Sequence, residues 1–107
     1  MSASPSTQFE AHCDGGGTPT VYVSGEVDLS TRDRLATVLT RAMRPGSDLV
    51  VDCTRMSFID ASGVSTLVRS AQEVSGGRLR LKGAHGYLSL IIDLLDLTSI
   101  QPNLVIE

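Results

Sequence analysis

The 107-residue sequence has no tryptophan, only four aromatic residues in all and only two cysteines. Each shortage excludes something. Cys13 and Cys53 are too few and too far apart for a disulfide scaffold, and no second pair completes a zinc site, so both are expected to be reduced thiols. Cys53 ends an apolar stretch and is expected to be buried; Cys13, beside a glycine run, is expected to be exposed. His12 and Cys13 do not make a metal pair, because neighbours on an extended strand point to opposite faces. No metal and no cofactor is expected. Nine basic residues against twelve acidic ones give a formal charge of −3, and the arginines are dispersed. That leaves neither the basic patch nor the stacking platform that nucleic acid requires, and no electrostatic pull toward an anionic membrane. No apolar run approaches the roughly 20 residues that cross a bilayer. Residues 1–7 are small and polar, without the basic start and apolar run of a signal peptide, and are expected to be a disordered tail. The expected compartment is the cytoplasm.

What is present suffices for one core. With 41% hydrophobic and 20% charged residues the composition is that of an ordinary globular domain, expected over residues 8–107. Residues 8–12 and 20–24 predict two short strands, and the turn-rich run from Asp14 to Pro19 between them predicts a hairpin. Its three glycines precede no Lys-Ser/Thr and lead into a strand, so a phosphate-binding loop is excluded. Ser30 is the predicted N-cap of a first helix, with Asp33 three residues on and Leu35, Val38, Leu39 and Ala42 on one face. This helix should end near Arg44, before Pro45-Gly46. Leu49, Val50 and Val51 form a continuous run expected of a strand covered on both faces. Val64, Leu67, Val68, Ala71 and Val74 predict a second helix over residues 62–75, stopping at Gly76-Gly77.

Residues 78–82 alternate strictly, which predicts a half-exposed strand with a basic outer face. A third helix is predicted over residues 86–97. Its apolar side spans about 220°, wider than the roughly 100° stripe that one sheet covers. Either the last strand wraps it or part of it meets another protein. Residues 100–106 supply a short final strand, interrupted by Pro102 and therefore expected at a sheet edge or with broken pairing. The order of elements predicts an α/β domain with helices on a mixed, mostly parallel sheet of four to five strands.

The most informative segment is the Asp60-Ala61-Ser62-Gly63 corner, where a strand passes through a short loop into a helix. A helix start leaves backbone N–H groups unpaired and partly positive, a place to meet a phosphate or a partner protein. Asp60 or Ser62 can cap it, and Gly63 lets another backbone approach. Right-handed crossovers put helix starts along one rim, so Asp28 and this corner are expected to share it. Ser62 as a nucleophile would need a base. The only histidines are His12 and His85, and the Gly-x-Ser-x-Gly elbow is missing, so the chain is not expected to be an enzyme. His85, between strand and helix, reads as a solvated or capping side chain.

Three blocks resemble a known family. Ser24-Gly25-Glu26-Val27-Asp28, the stretch from Leu49 to Gly63, and Arg78-Leu79-Arg80-Leu81-Lys82-Gly83 with the helix ending Leu94-Leu95-Asp96-Leu97 together resemble the STAS domain. The likeness is to its small cytoplasmic form, the anti-sigma factor antagonist, and covers roughly residues 8–105. It implies partner switching: the antagonist binds an anti-sigma factor, often an ATP-dependent serine kinase, and frees a sigma factor for transcription. Phosphorylation of the antagonist, at the serine directly after the corner aspartate, blocks that binding. Here that position is Ala61, which has no hydroxyl, and Ser62 is the remaining candidate acceptor. The resemblance makes Glu26, Asp28, Asp60, Ala61, Ser62 and Gly63 the candidate partner-binding residues. Glu26 and Asp28 would be acidic contacts, and Ala61 to Gly63 a close backbone surface. Asp28 and Asp60 also read as residues that cap and brace their corners. The alternative within the family is a STAS accessory subunit of a membrane lipid or anion transporter complex, docked on its ATPase through the same rim.

Overall fold

The turn-rich run after Asp14 closes a hairpin, and Asp14 itself accepts the Gly16 N–H at 3.1 Å. The computed structural model describes residues 8–107; the predicted tail, residues 1–7, lies outside them. Strand β1 (Glu10–Asp14) pairs antiparallel with β2 (Thr20–Val27), His12 opposite Tyr22. From β2 onward each strand is parallel to its neighbour. The order runs α1 (Arg32–Ala42), β3 (Leu49–Ile59), α2 (Ala61–Glu73), β4 (Leu79–Lys82), α3 (Gly86–Leu94), a single turn α4 (Leu97–Ile100) and β5 (Leu104–Ile106).

The sheet order is β1-β2-β3-β4-β5, so neighbours in space are neighbours in sequence. Right-handed crossovers that always step the same way leave every helix on one face. Burial follows that rule. On β2, Val21, Val23 and Val27 are buried while Tyr22 is exposed; on β4, Leu79 and Leu81 are buried while Lys82 is exposed. The core joins these side chains to Leu35 and Leu39 of α1, Leu67 and Ala71 of α2, and Leu88 and Ile92 of α3. The other face is open, with His12 stacked on Tyr22 at a centroid separation of 5.3 Å. All three residues of the Leu49-Val50-Val51 run are buried, as expected, but the two faces are covered differently. Val51 faces the helices beside Val21, whereas Val50, 8% exposed, lies on the face without helices, flanked in its row by Thr20 and Arg80.

Strand β3 continues far beyond residue 51, through what the sequence suggested was a loop. Its pairing with β2 slips twice: Tyr22 and Ser24 face Asp52 and Arg55, and Gly25 and Glu26 face Met56 and Phe58. Each slip inserts one extra residue in β3, a bulge that turns the inward period from two into three. Buried positions therefore fall at Val51, Cys53, Met56 and Ile59.

Helix bounds shift for local reasons. The N-cap of α1 is Thr31, not Ser30, because Ser30 is held by Asp28. Helix α2 ends at Glu73, with Val74 in extended conformation. The predicted third helix is broken: α3 stops at Leu94, Asp96 adopts a left-handed φ of 51°, and α4 restarts beyond it. Pro102 precedes β5 instead of interrupting it. The basic outer face of β4 is partly neutralised, since Arg80 Nε donates to Glu107 Oε2 at 2.9 Å and Arg80 Nη1 lies 3.7 Å from Asp48.

Candidate functional site

Strands β2 and β3 end side by side, Val27 paired with Ile59, and the Asp60 N–H donates to the Val27 carbonyl at 3.0 Å. Asp28 and Asp60 therefore step off adjacent strands together and stand on one rim, as the crossover rule predicts. Each is followed two residues later by a serine. Ser30 Oγ donates to Asp28 Oδ1 and Ser62 Oγ donates to Asp60 Oδ1, both at 2.6 Å. The same Asp-x-Ser device thus opens both helices.

The two corners differ in what else the carboxylate holds. Asp28 Oδ1 also accepts the Ser30 N–H at 2.9 Å, and Thr31 Oγ1 accepts the Asp28 N–H while donating to the Glu26 carbonyl, both at 3.0 Å. Asp60 Oδ1 accepts the Gly63 N–H at 3.0 Å, so Asp60, not Ser62, caps α2. These bonds favour the ionised form. Asp28 is held below the usual carboxylate pKa by the Ser30 hydroxyl and N–H, and Asp60 by the Ser62 hydroxyl; the nearby Asp28 charge pushes Asp60 the other way. Both carboxylates are anions at neutral pH, and the rim is acidic.

The corner itself is graded from outside to inside. Ala61 is exposed, Ser62 half-buried and Gly63 buried. A Cβ on Gly63 would lie 2.6 Å from Ile59 Cγ1 and 2.7 Å from Val27 Cγ1. Its missing side chain accommodates the core of this protein, and Gly63 does not face outward as the sequence reading had it. Glu26 is half-buried, opposite Phe58 on the open-face side of the rim.

Three residues here were not singled out from the sequence. Leu29 and Phe58, close in sequence to Asp28 and Asp60, and Tyr87, near Phe58, are exposed large apolar side chains. Phe58 and Tyr87 line one cleft with His85, at the point where β3 ends and α3 begins. Their signal in the sequence is weak: single apolar residues beside Asp28, Asp60 and Gly86.

The remaining candidates lie elsewhere or are otherwise engaged. His85 occupies the N-cap position of α3 without a capping side-chain bond and is exposed, the solvated reading. His12 sits on the open face against Tyr22. The partner of the Ser62 hydroxyl is the Asp60 carboxylate. Cys53 is buried, and burial followed by the neighbouring Asp52 charge pushes its thiol up to about 12, which makes it unreactive; Cys13 is exposed. Among the described residues no group of three or more His, Cys, Asp or Glu is placed to hold a metal ion, and no helix is long and apolar enough to cross a membrane.

Residues 14–105 match the family model described as Mlab, STAS domain. No curated protein matches the chain in sequence. An anti-sigma factor antagonist from Mycobacterium paratuberculosis, solved by crystallography, has a similar structure. Its TM-score is 0.74 at 21% identity, over 96% of this chain and 89% of that one. The Bacillus cell fate determinant SpoIIAA in its phosphorylated form gives 0.67 at 19% identity, over 92% and 91%. The anti-sigma factor antagonist SpoIIAA in its unphosphorylated form gives 0.58 at 20% identity, over 92% and 88%. At these identities the likeness establishes a common fold.

Proposed function

The chain belongs to the STAS domain family, and on that footing we propose that it is an anti-sigma factor antagonist acting in the cytoplasm, with residues 8–107 as its domain. It binds an anti-sigma factor, an ATP-dependent serine kinase in the usual family arrangement, and so releases a sigma factor. The observation that carries this reading is the meeting of the two Asp-x-Ser corners on one exposed, acidic rim. Glu26, Asp28 and Asp60 present negative charge to a basic patch on the partner. Ala61 and the exposed side of Ser62 allow close approach, and Leu29, Phe58 and Tyr87 are the apolar anchors. Gly63 contributes from behind, by letting α2 start tight against Val27 and Ile59.

Ala61 removes the phosphate brake. The exposed first position of α2 has no hydroxyl, and Ser62 is bonded to Asp60. A phosphoryl group on Ser62 would break that bond and set about −1.5 to −2 charges beside two carboxylates. Binding is therefore constitutive with respect to this corner.

The test is to use the purified chain as bait for host lysate with ATP or ADP, then to identify retained proteins and measure the bait's intact mass. Retention of a kinase-like anti-sigma factor, with no phosphate on the wild type and one phosphoryl group gained by Ala61→Ser, is the expected result. Release with ATP and phosphate on Ser62 would move the switch by one residue. Capture of a transporter ATPase would instead assign the chain to the accessory-subunit class.

A further inference from the structure

Helix α3 and the turn α4 carry more apolar surface than the sheet covers. Leu88, Ile92 and Leu97 are buried in the core. Tyr87, Leu90 and Leu94, at i, i+3 and i+7, form a second stripe and are 43%, 53% and 68% exposed; Leu95, which ends α3, and Ile100, in α4, are exposed as well. The wide apolar side read from the sequence is thus resolved: one part faces the core and the other faces out.

The segment that carries this stripe has charge of one sign. From Gly83 to Glu107 the chain has no lysine or arginine, and its charged side chains are Asp93, Asp96 and Glu107. Glu107 is engaged by Arg80, which leaves two exposed carboxylates: Asp93, beside Leu90 and Leu94 on α3, and Asp96, in the turn that follows; both also line a cleft with Pro102 and β5. These carboxylates select among occupants. An anionic bilayer is repelled by them. A second copy meeting on the same stripe about a two-fold axis would bring acid against acid. A helix whose apolar side is flanked by lysine or arginine satisfies both the stripe and these charges.

We propose that Tyr87, Leu90 and Leu94, with Leu95 and Ile100, form a docking surface for an amphipathic helix of a partner protein, its apolar side flanked by basic residues. The surface is continuous with the rim, because Tyr87 lines the cleft that holds Phe58. The proposal deepens the partner-binding reading above and rests on it only for the identity of the partner.

The experiment is an NMR titration of the isotope-labelled full chain with a synthetic amphipathic helical peptide of about five turns, leucine-faced and lysine-flanked, and with its glutamate-flanked counterpart. Shift changes confined to residues 87–100 and Phe58 are expected, with the glutamate peptide binding about tenfold or more weakly. Leu90→Lys and Leu94→Lys, at exposed positions where circular dichroism should report an unchanged fold, should each remove the interaction. Asp93→Lys combined with Asp96→Lys should reverse the preference between the two peptides. Equal binding of both peptides overturns the proposal, as do shift changes elsewhere. So does a dimer abolished by Leu94→Lys in a chain that neither peptide perturbs, because the occupant is then a second copy. The peptide titration reads the stripe without the cellular partner and the lysate experiment reads the rim, so failure of the rim reading and failure of the stripe are seen separately.

Discussion

Asp60 does two jobs with one oxygen atom, capping a helix and holding the Ser62 hydroxyl, and both need its negative charge. A carboxyl whose pKa is depressed by folding adds stability above its unfolded pKa of about 3.9 and loses it as pH falls through the folded value. Asp28 and Asp60 are both depressed, so acid should weaken the protein below about pH 4. Urea unfolding at pH 6 and pH 3 tests this: Asp60→Asn should be less stable than wild type at pH 6 and lose less on acidification. Equal losses in the two proteins would remove Asp60 from the account. Gly63→Ala should cost about 1–3 kcal/mol in the same assay, because its methyl group enters the space held by Val27 and Ile59. Ala61→Ser, exposed, should change stability by no more than about 0.5 kcal/mol. The two aspartates were legible because an acid before a serine and an apolar helical run has a local meaning. The inward turn of Gly63 was not, since glycine marks tightness without saying which neighbour is close. Leu29, Phe58 and Tyr87 were missed for a related reason: exposure is set by the fold, and a lone apolar residue in a loop carries no period.

Among the elements, β3 was the least legible. Two bulges stretch its inward spacing, so Asp52-Cys53-Thr54-Arg55-Met56-Ser57 shows no alternation to recognise. Helices α1 and α2 were read nearly to their ends because Leu35, Leu39, Leu67 and Ala71 keep the helical period that burial requires. Helix α3 was read too long. Its apolar pattern runs on, but Asp96 leaves the helical region, which aspartate does more readily than most residues. A pair of alanine substitutions separates the two kinds of leucine described above. Leu67→Ala, in α2 and 1% exposed, should cost about 2–5 kcal/mol in urea unfolding. Leu90→Ala, on the outward stripe of α3, should stay within about 0.5 kcal/mol. A large loss at Leu90 would mean that the stripe is part of the core.

For the whole molecule, the net charge of −3 is small, and its effect depends on where the anions stand. With Glu26, Asp28 and Asp60 on one rim, Asp28→Lys should slow association with the retained partner and flatten its dependence on salt, both measurable by stopped-flow mixing. Unchanged rates would place the contact off this rim. The shared rim was legible from the alternation of strands and helices, because the hand of the crossovers decides it. The open face was not inferred, because Leu49-Val50-Val51 is buried throughout although the one-way order of strands puts helices on one side only. That order also sets how the chain comes together. Each parallel pair joins segments separated by one crossover connection, so no loop closed between paired strands spans more than one such connection. The sheet can grow by accretion from the β2-α1-β3 unit, one rung at a time, and β5 at the far edge can dock without disturbing the strands already paired.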